Sequence, residues 1–206
     1  MTGTKPRLEE YIRAHLTPLL RSQGFQGSGR TYRRVAPDAV HVVNVQGARF
    51  GGSFFINLAA QPIAIPDATG RATDRKKIQE HQCEFRTRLS DGDKSQWVHE
   101  SQPDHMRQAV EDAAAAILLR GDEFFGLFHG AESLLQSYSS IDLENGNPPL
   151  VQFCFGSAVR VAFVFAQLRL AQGRLAEAKD FAAFALKDAQ PDFVGYEALI
   201  EIANAA

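Results

Sequence analysis

Residues 41–61, HVVNVQGARFGGSFFINLAAQ, carry two interleaved patterns that only a two-faced strand pair can satisfy together. Side chains on a strand alternate between faces, so parity sorts them. Val43 and Val45 share one face of Ala39–Gly47, and Asn44 and Gln46 the other. Along Ser53–Gln61, Phe54, Ile56 and Leu58 fall on one side and Phe55, Asn57 and Gln61 on the opposite side. An antiparallel register that sets Val43 against Leu58 also sets Asn44 against Asn57. One register therefore serves an apolar face and a carboxamide row at once, whereas a slip by a single residue would scramble both. The glycine-rich GARFGG between them reads as the connecting loop.

Two further segments extend this sheet. RTYRRV, Arg30–Val35, reads as a strand closed by the turn residues Pro37 and Asp38, and CEFRTRL, Cys83–Leu89, reads as another. Phe85 and Leu89 join the apolar face; Glu84, Arg86 and Arg88 join the carboxamide face. Short strands joined by tight loops make an antiparallel meander. Ahead of it, Leu8, Tyr11, Ile12, Leu16, Leu19 and Leu20 recur at three- and four-residue spacing and predict a helix from Arg7 to Gln23. Pro18 requires a kink there or a fresh turn beginning at Thr17. The connection PIAIPDATGRATDRKKIQEHQ is rich in Pro and Gly, with a short helix expected in its second half; mobility is the first expectation for so long a loop.

After Trp97 the pattern turns helical. PDHMRQAVEDAAAAILLRG opens on a helix-start proline and closes on glycine, and DEFFGLFHGAESLLQSY continues it. SSIDLENGNPPL reads as a loop and the natural boundary. SAVRVAFVFAQLRLAQ and LAEAKDFAAFALKDA then form a hairpin turning at Gly173. Ala171 to Ala178, with Ala182 and Ala185, resembles half of a tetratricopeptide repeat, with Arg169 where that pattern usually has an aromatic. A single repeat cannot bury its own apolar face, so the hairpin, about residues 157–190, is expected to pack on the rest of the chain or on a partner. The expected fold class is α+β: an N-terminal helix on a roughly four-stranded antiparallel meander over residues 1–100, then an all-helical half over 101–206.

The order and spacing of LLRSQGF, RTYRRV, VVNVQGARFGGSFFINL and CEFRTRL followed by Trp97 resemble a bacterial family known as domain of unknown function 4304. The likeness covers residues 5–100. It implies a small α+β domain and carries no activity with it.

Charge divides the chain. Residues 1–100 hold 15 Lys and Arg against 10 Asp and Glu, a balance of +5; residues 101–206 hold 7 against 14, a balance of −7. Neither half is basic enough to announce nucleic acid. The opening MTGTKPRLEE lacks the apolar run of a signal peptide, and no stretch approaches the roughly 18 apolar residues of a membrane span. Cys83 and Cys154 lie far apart and fit no metal spacing, so a cytoplasmic, reduced setting is expected. The six histidines show no close ligand spacing; HESQPDH, His99–His105, is the densest cluster. No phosphate-cradling loop or serine elbow occurs, since GARFGGS lacks the following lysine and joins two strands. The expectation is therefore no metal, no cofactor and no catalytic set.

What remains is the polar sheet face. Asn44, Gln46, Asn57, Arg86 and Arg88 are the candidate binding residues: carboxamides offer both donors and an acceptor, and a guanidinium holds a carboxylate at two points. A non-catalytic module that holds a protein partner through this face, or through a helical groove, is the first expectation. An enzyme clamping a small anionic substrate with Arg86 and Arg88 is the second. A weak nucleic-acid binder using Arg33, Arg34, Arg75, Lys76, Lys77, Arg86 and Arg88 is the third. Solvated residues bonding only one another are the bland alternative to all three.

Overall fold

The computed structural model describes residues 7–130 and 132–206; the first six residues of the opening stretch, and Ala131 within a segment expected to be helical, lie outside them. The predicted meander is present: β1 (Gln26–Ser28), β2 (Thr31–Val35), β3 (Ala39–Gly47), β4 (Ser53–Pro62) and β5 (Phe85–Arg88) lie side by side in chain order, all antiparallel. A two-residue strand, β6 (Trp97–Val98), pairs with the start of β4. The four expected strands are thus joined by two short ones, β1 and β6, too brief to leave an alternation in the sequence. The register of β3 on β4 sets Val43 opposite Leu58 and Asn44 opposite Asn57, as the alternation required.

Helix α1 covers residues 8–22 and buries Leu8, Ile12, Leu16 and Leu20 on the apolar face of the sheet. At Pro18 a fresh α-helical stretch does begin at Thr17, with the proline in its first turn, but the Thr17 side chain does not cap it. Ahead of it, Ile12–Leu16 widen into a π turn in which the Thr17 N–H reaches back five residues to the Ile12 carbonyl. The wider turn relieves the carbonyl that a proline ring would otherwise meet one turn upstream. The Thr17 hydroxyl bonds the same carbonyl and the Tyr32 hydroxyl at 2.6 Å, tying the bulge to β2.

Helix α2 covers residues 103–126, again with a π turn at Ile117–Gly121, and packs beside α1. The helical expectation for residues 122–138 is met only at its ends: α2 stops at Gly126, and a single turn, α3 (Leu134–Ser137), begins after Ser133 caps it. Gly130, with φ of +83°, marks the break. The segment read as a loop and boundary contains α4 (Ser140–Asn145), opened by a Ser139–Asp142 capping box, and its Leu143 and Leu150 are buried in the same core as the sheet. Then come α5 (Ala158–Ala171), α6 (Leu175–Leu186) and α7 (Tyr196–Asn204); the sequence reading had not anticipated α7.

Apolar contact is continuous from Leu8 to Ile202. Phe85 of β5 stacks on Phe128 at 4.7 Å and meets Phe165 of α5 at 6.2 Å, and Phe165 stacks on Phe181 of α6 at 5.3 Å. The hairpin thereby buries the face it could not bury alone. Ala178, Ala182 and Ala185 are fully buried where α6 lies against α5. Arg169 is fully buried too, donating to the carbonyls of Leu135 at 2.6 Å and Tyr138 at 2.7 Å. It replaces a ring with a clamp that closes the C-terminal end of α3.

Candidate binding face

The second face of the sheet divides into two halves. Toward one end, Val40, Val42 and Ala59 form a small separate core with Ile78 and Cys83, partly shielded by Ile63. The covering residues all come from the connection between β4 and β5. This loop is built in, contrary to the expectation of mobility, and its only helical element is a single 3-10 turn, Glu80–Gln82. Gln61, fully buried, holds it: its Nε2 donates to the Pro62 and Pro66 carbonyls while its Oε1 accepts from the Glu84 N–H. Asp67 folds the loop tip by accepting from the Thr69 and Arg71 amides. One carboxamide of the row is therefore a structural strut.

The other half stays uncovered. Across it, Thr31, Asn44, Asn57 and Arg88 stand on successive strands in register. Asn44 Nδ2 donates to Thr31 Oγ1 at 3.0 Å and to the Arg30 carbonyl at 3.3 Å. Asn57 Nδ2 donates to Gln46 Oε1 at 3.0 Å and Asn44 Oδ1 at 3.4 Å. Arg88 donates from Nη2 to Gln46 Oε1 at 3.1 Å and from Nε to Asn57 Oδ1 at 3.4 Å, with its guanidinium 4.1 Å above the Phe55 ring. Because arginine can only donate, it fixes which end of Gln46 and Asn57 faces it. Every carboxamide oxygen of the trio is thereby occupied. The Nε2 of Gln46 and the Nη1 of Arg88 have no partner among the described residues, so the surface presents donors.

Arg86 does not join that network. Its guanidinium lies 4.2 Å over Phe155, a half-exposed ring on the segment leading into α5, and donates to the His81 carbonyl at 3.2 Å. Between Arg86, Arg88, Asn57 and the facing Gln152 and Phe155 runs an open groove of about 310 Å3. A second hollow of about 250 Å3, lined by Arg88, Arg120 and Glu123, adjoins it. Of the five predicted residues, Asn57, Arg86 and Arg88 line the groove, and Asn44 and Gln46 reach it through their hydrogen bonds to Asn57 and Arg88. Glu84, which shares their parity, leaves it: the carboxylate is buried against Arg160 of α5 in a two-point pair of 2.6 and 2.9 Å. Burial raises its pKa, against the pull of the Arg160 guanidinium. Phe155 and Gln152 were not foreseen, since nothing local marks a residue that arrives from seventy positions away.

Other candidate chemistry is engaged or buried. Burial pushes the Cys83 and Cys154 thiols up, which keeps them as thiols. His99 Nδ1 accepts the Ser101 N–H, and His105 lies 3.7 Å from Glu100 on the exposed surface. Among the described residues no group of three His, Cys, Asp or Glu side chains could hold a metal, and no helix is long and apolar enough to cross a membrane. The basic residues of the nucleic-acid reading separate. Arg34 lies on the core side over Phe25 at 4.8 Å, Arg86 and Arg88 border the groove, and Arg33, Arg75 and Lys76 meet elsewhere.

The α1–sheet–α2 unit corresponds to a known family. A family model described as Domain of unknown function (DUF4304) matches residues 16–121. The chain belongs to the DUF4304 family. The DUF4304 region contributes the C-terminal half of α1, the whole sheet and α2 as far as its π turn, and so supplies all five candidate residues but neither Phe155 nor the helices that cover Phe85. No curated protein and no solved structure matches the chain.

Proposed function

We propose that the chain is a non-catalytic, cytoplasmic binding protein that holds a protein partner on the uncovered half of the sheet, through Gln46, Asn57, Arg86 and Arg88 with Phe55 and Phe155 as flat apolar contacts. The observation that carries this reading is the polarity of the hydrogen-bond network. Its acceptors are satisfied internally while Gln46 and Arg88 keep donors facing outward, so the surface complements a partner rich in carboxylates or carbonyls. A prearranged arginine fork costs less side-chain entropy on binding than a free one, because its contacts with Phe55 and Gln46 already hold it. The tetratricopeptide-like pairing of α5 with α6 serves this reading as a rigid wall, placing Phe155 across the groove from β5.

The test is a paired variant, Arg86→Ala with Arg88→Ala, compared with the parent chain in pull-downs from the native cytoplasm. Arg88 is exposed and Arg86 half-exposed, and neither is in an ion pair, so unfolding stability is expected to change by no more than about 1 kcal/mol. A partner retained by the parent is expected to be lost. Equal retention of that partner by the folded variant, or collapse of the variant itself, would turn the row into a structural element.

A further inference from the structure

On the same face of the sheet, at its β2 edge and beyond the covering loop, Arg33 of β2 and Arg75 and Lys76 of that loop converge on a hollow of about 430 Å3, whose remaining wall includes Gly24, Gln26 and Gly27. No acidic side chain among the described residues lines it. Among the described residues none of the three cations takes part in an ion pair. The neighbouring acid, Asp74, is occupied in its own turn, where Oδ1 accepts the Lys76 and Lys77 amides at 2.9 and 3.2 Å. Arg33 is half-buried and its Nε and Nη2 donate to the Ile78 and Lys77 carbonyls. Those bonds fix the guanidinium without neutralising it and leave Nη1 free. Burial lowers the Arg33 pKa, against the opposing pull of the Asp74 carboxylate.

We propose that this hollow binds a small ligand through a phosphate or pyrophosphate group. Three unpaired cations around one cavity call for an anion of more than one charge, which a single carboxylate does not supply. The volume falls within the range of about 300–1,000 Å3 typical of small-ligand sites. A nucleic acid would instead need a continuous basic stripe, whereas Arg34 lies on the core side and Arg86 and Arg88 are separated from Arg33 by the loop packed over Val42 and Ala59 and lie over aromatic rings. The proposal is independent of the protein-binding groove, which shares no residue with the hollow.

Calorimetric titration of the whole chain with sodium pyrophosphate tests it, with Arg75→Ala plus Lys76→Ala as the variant. Both side chains are exposed and make no side-chain hydrogen bond, so the fold should persist, and circular dichroism verifies that. The parent is expected to bind one pyrophosphate saturably, and the variant at least about tenfold more weakly. Arg86→Ala with Arg88→Ala is expected to bind it like the parent, which separates this site from the protein-binding reading. No saturable heat in the parent, equal affinity in the Arg75/Lys76 variant, or tighter binding of a single-stranded oligonucleotide than of pyrophosphate would overturn the proposal.

Discussion

His41 shows how one residue can link sheet, helix and solution conditions. It lies on the core face of β3, fully buried, stacked at 4.7 Å on Phe125 of α2. Its Nδ1 accepts from Arg34 Nη2 at 3.2 Å, so the neutral ring carries its proton on Nε2, an atom with no well-formed partner. Burial first, and then the charge of Arg34, depress its pKa from 6.5 to about 4, with His129 adding a smaller push. A histidine depressed in the folded state is protonated earlier when unfolded. Its contribution to stability is therefore complete above pH 6.5 and is lost as pH falls toward 4. Between pH 7 and pH 5 the linkage amounts to about 2 kcal/mol. Urea unfolding at those two pH values is expected to show that loss in the parent and to show much less of it in His41→Phe. An equal loss in both would place the acid sensitivity elsewhere. His41 was legible in the sequence only as a core-parity position; its partner Phe125 is supplied by a helix more than eighty residues on.

At the scale of elements, the connection between β4 and β5 departs furthest from its sequence signature. Prolines, glycines and charges in residues 62–82 advertise a solvated loop. The exceptions are Ile65, buried in the main core, and Ile78, which is buried and carries the loop onto Val40, Val42 and Ala59. Ile78→Ala removes most of that contact and is expected to cost about 2–4 kcal/mol, in the range for truncating a buried aliphatic. Hydrogen exchange should then rise at the Ala68 and Ile78 amides, which bond the Gln82 and Asp74 carbonyls, while the β3–β4 ladder stays protected. Unchanged protection of the loop would mean that Ile65 and the Gln61 hydrogen bonds hold it without Ile78. The hairpin of α5 and α6 was readable because alanines at close spacing and Gly173 are local signals. The short strands β1 and β6 were not, because two or three residues cannot display a period.

For the whole molecule, the decisive fact is that the aromatic cover of β5 comes from the helical half. Phe85 is fully buried and contacts Phe128 and Phe165, and Glu84 is paired, among the described residues, with Arg160 alone, all beyond the residues the family model matches. A fragment ending at residue 121 would expose Phe85 and leave the Glu84 carboxylate to revert to water. It is expected to lack the cooperative thermal transition of the full chain and to bind a hydrophobic dye, where the full chain should unfold in a single calorimetric step. A fragment that melts cooperatively would show the sheet and its two helices to be self-sufficient.

Alternation along residues 41–61 determined the sheet, its register and the membership of its two faces, because side-chain direction in a strand is a local geometric rule that every residue obeys. Which part of the polar face stays open, that Gln61 and Glu84 withdraw from it, and that Phe155 faces Arg86 were decided by tertiary structure. Those outcomes depend on where a twenty-residue loop and a distant helix come to rest, and that is set by long-range burial, which no short window of sequence contains.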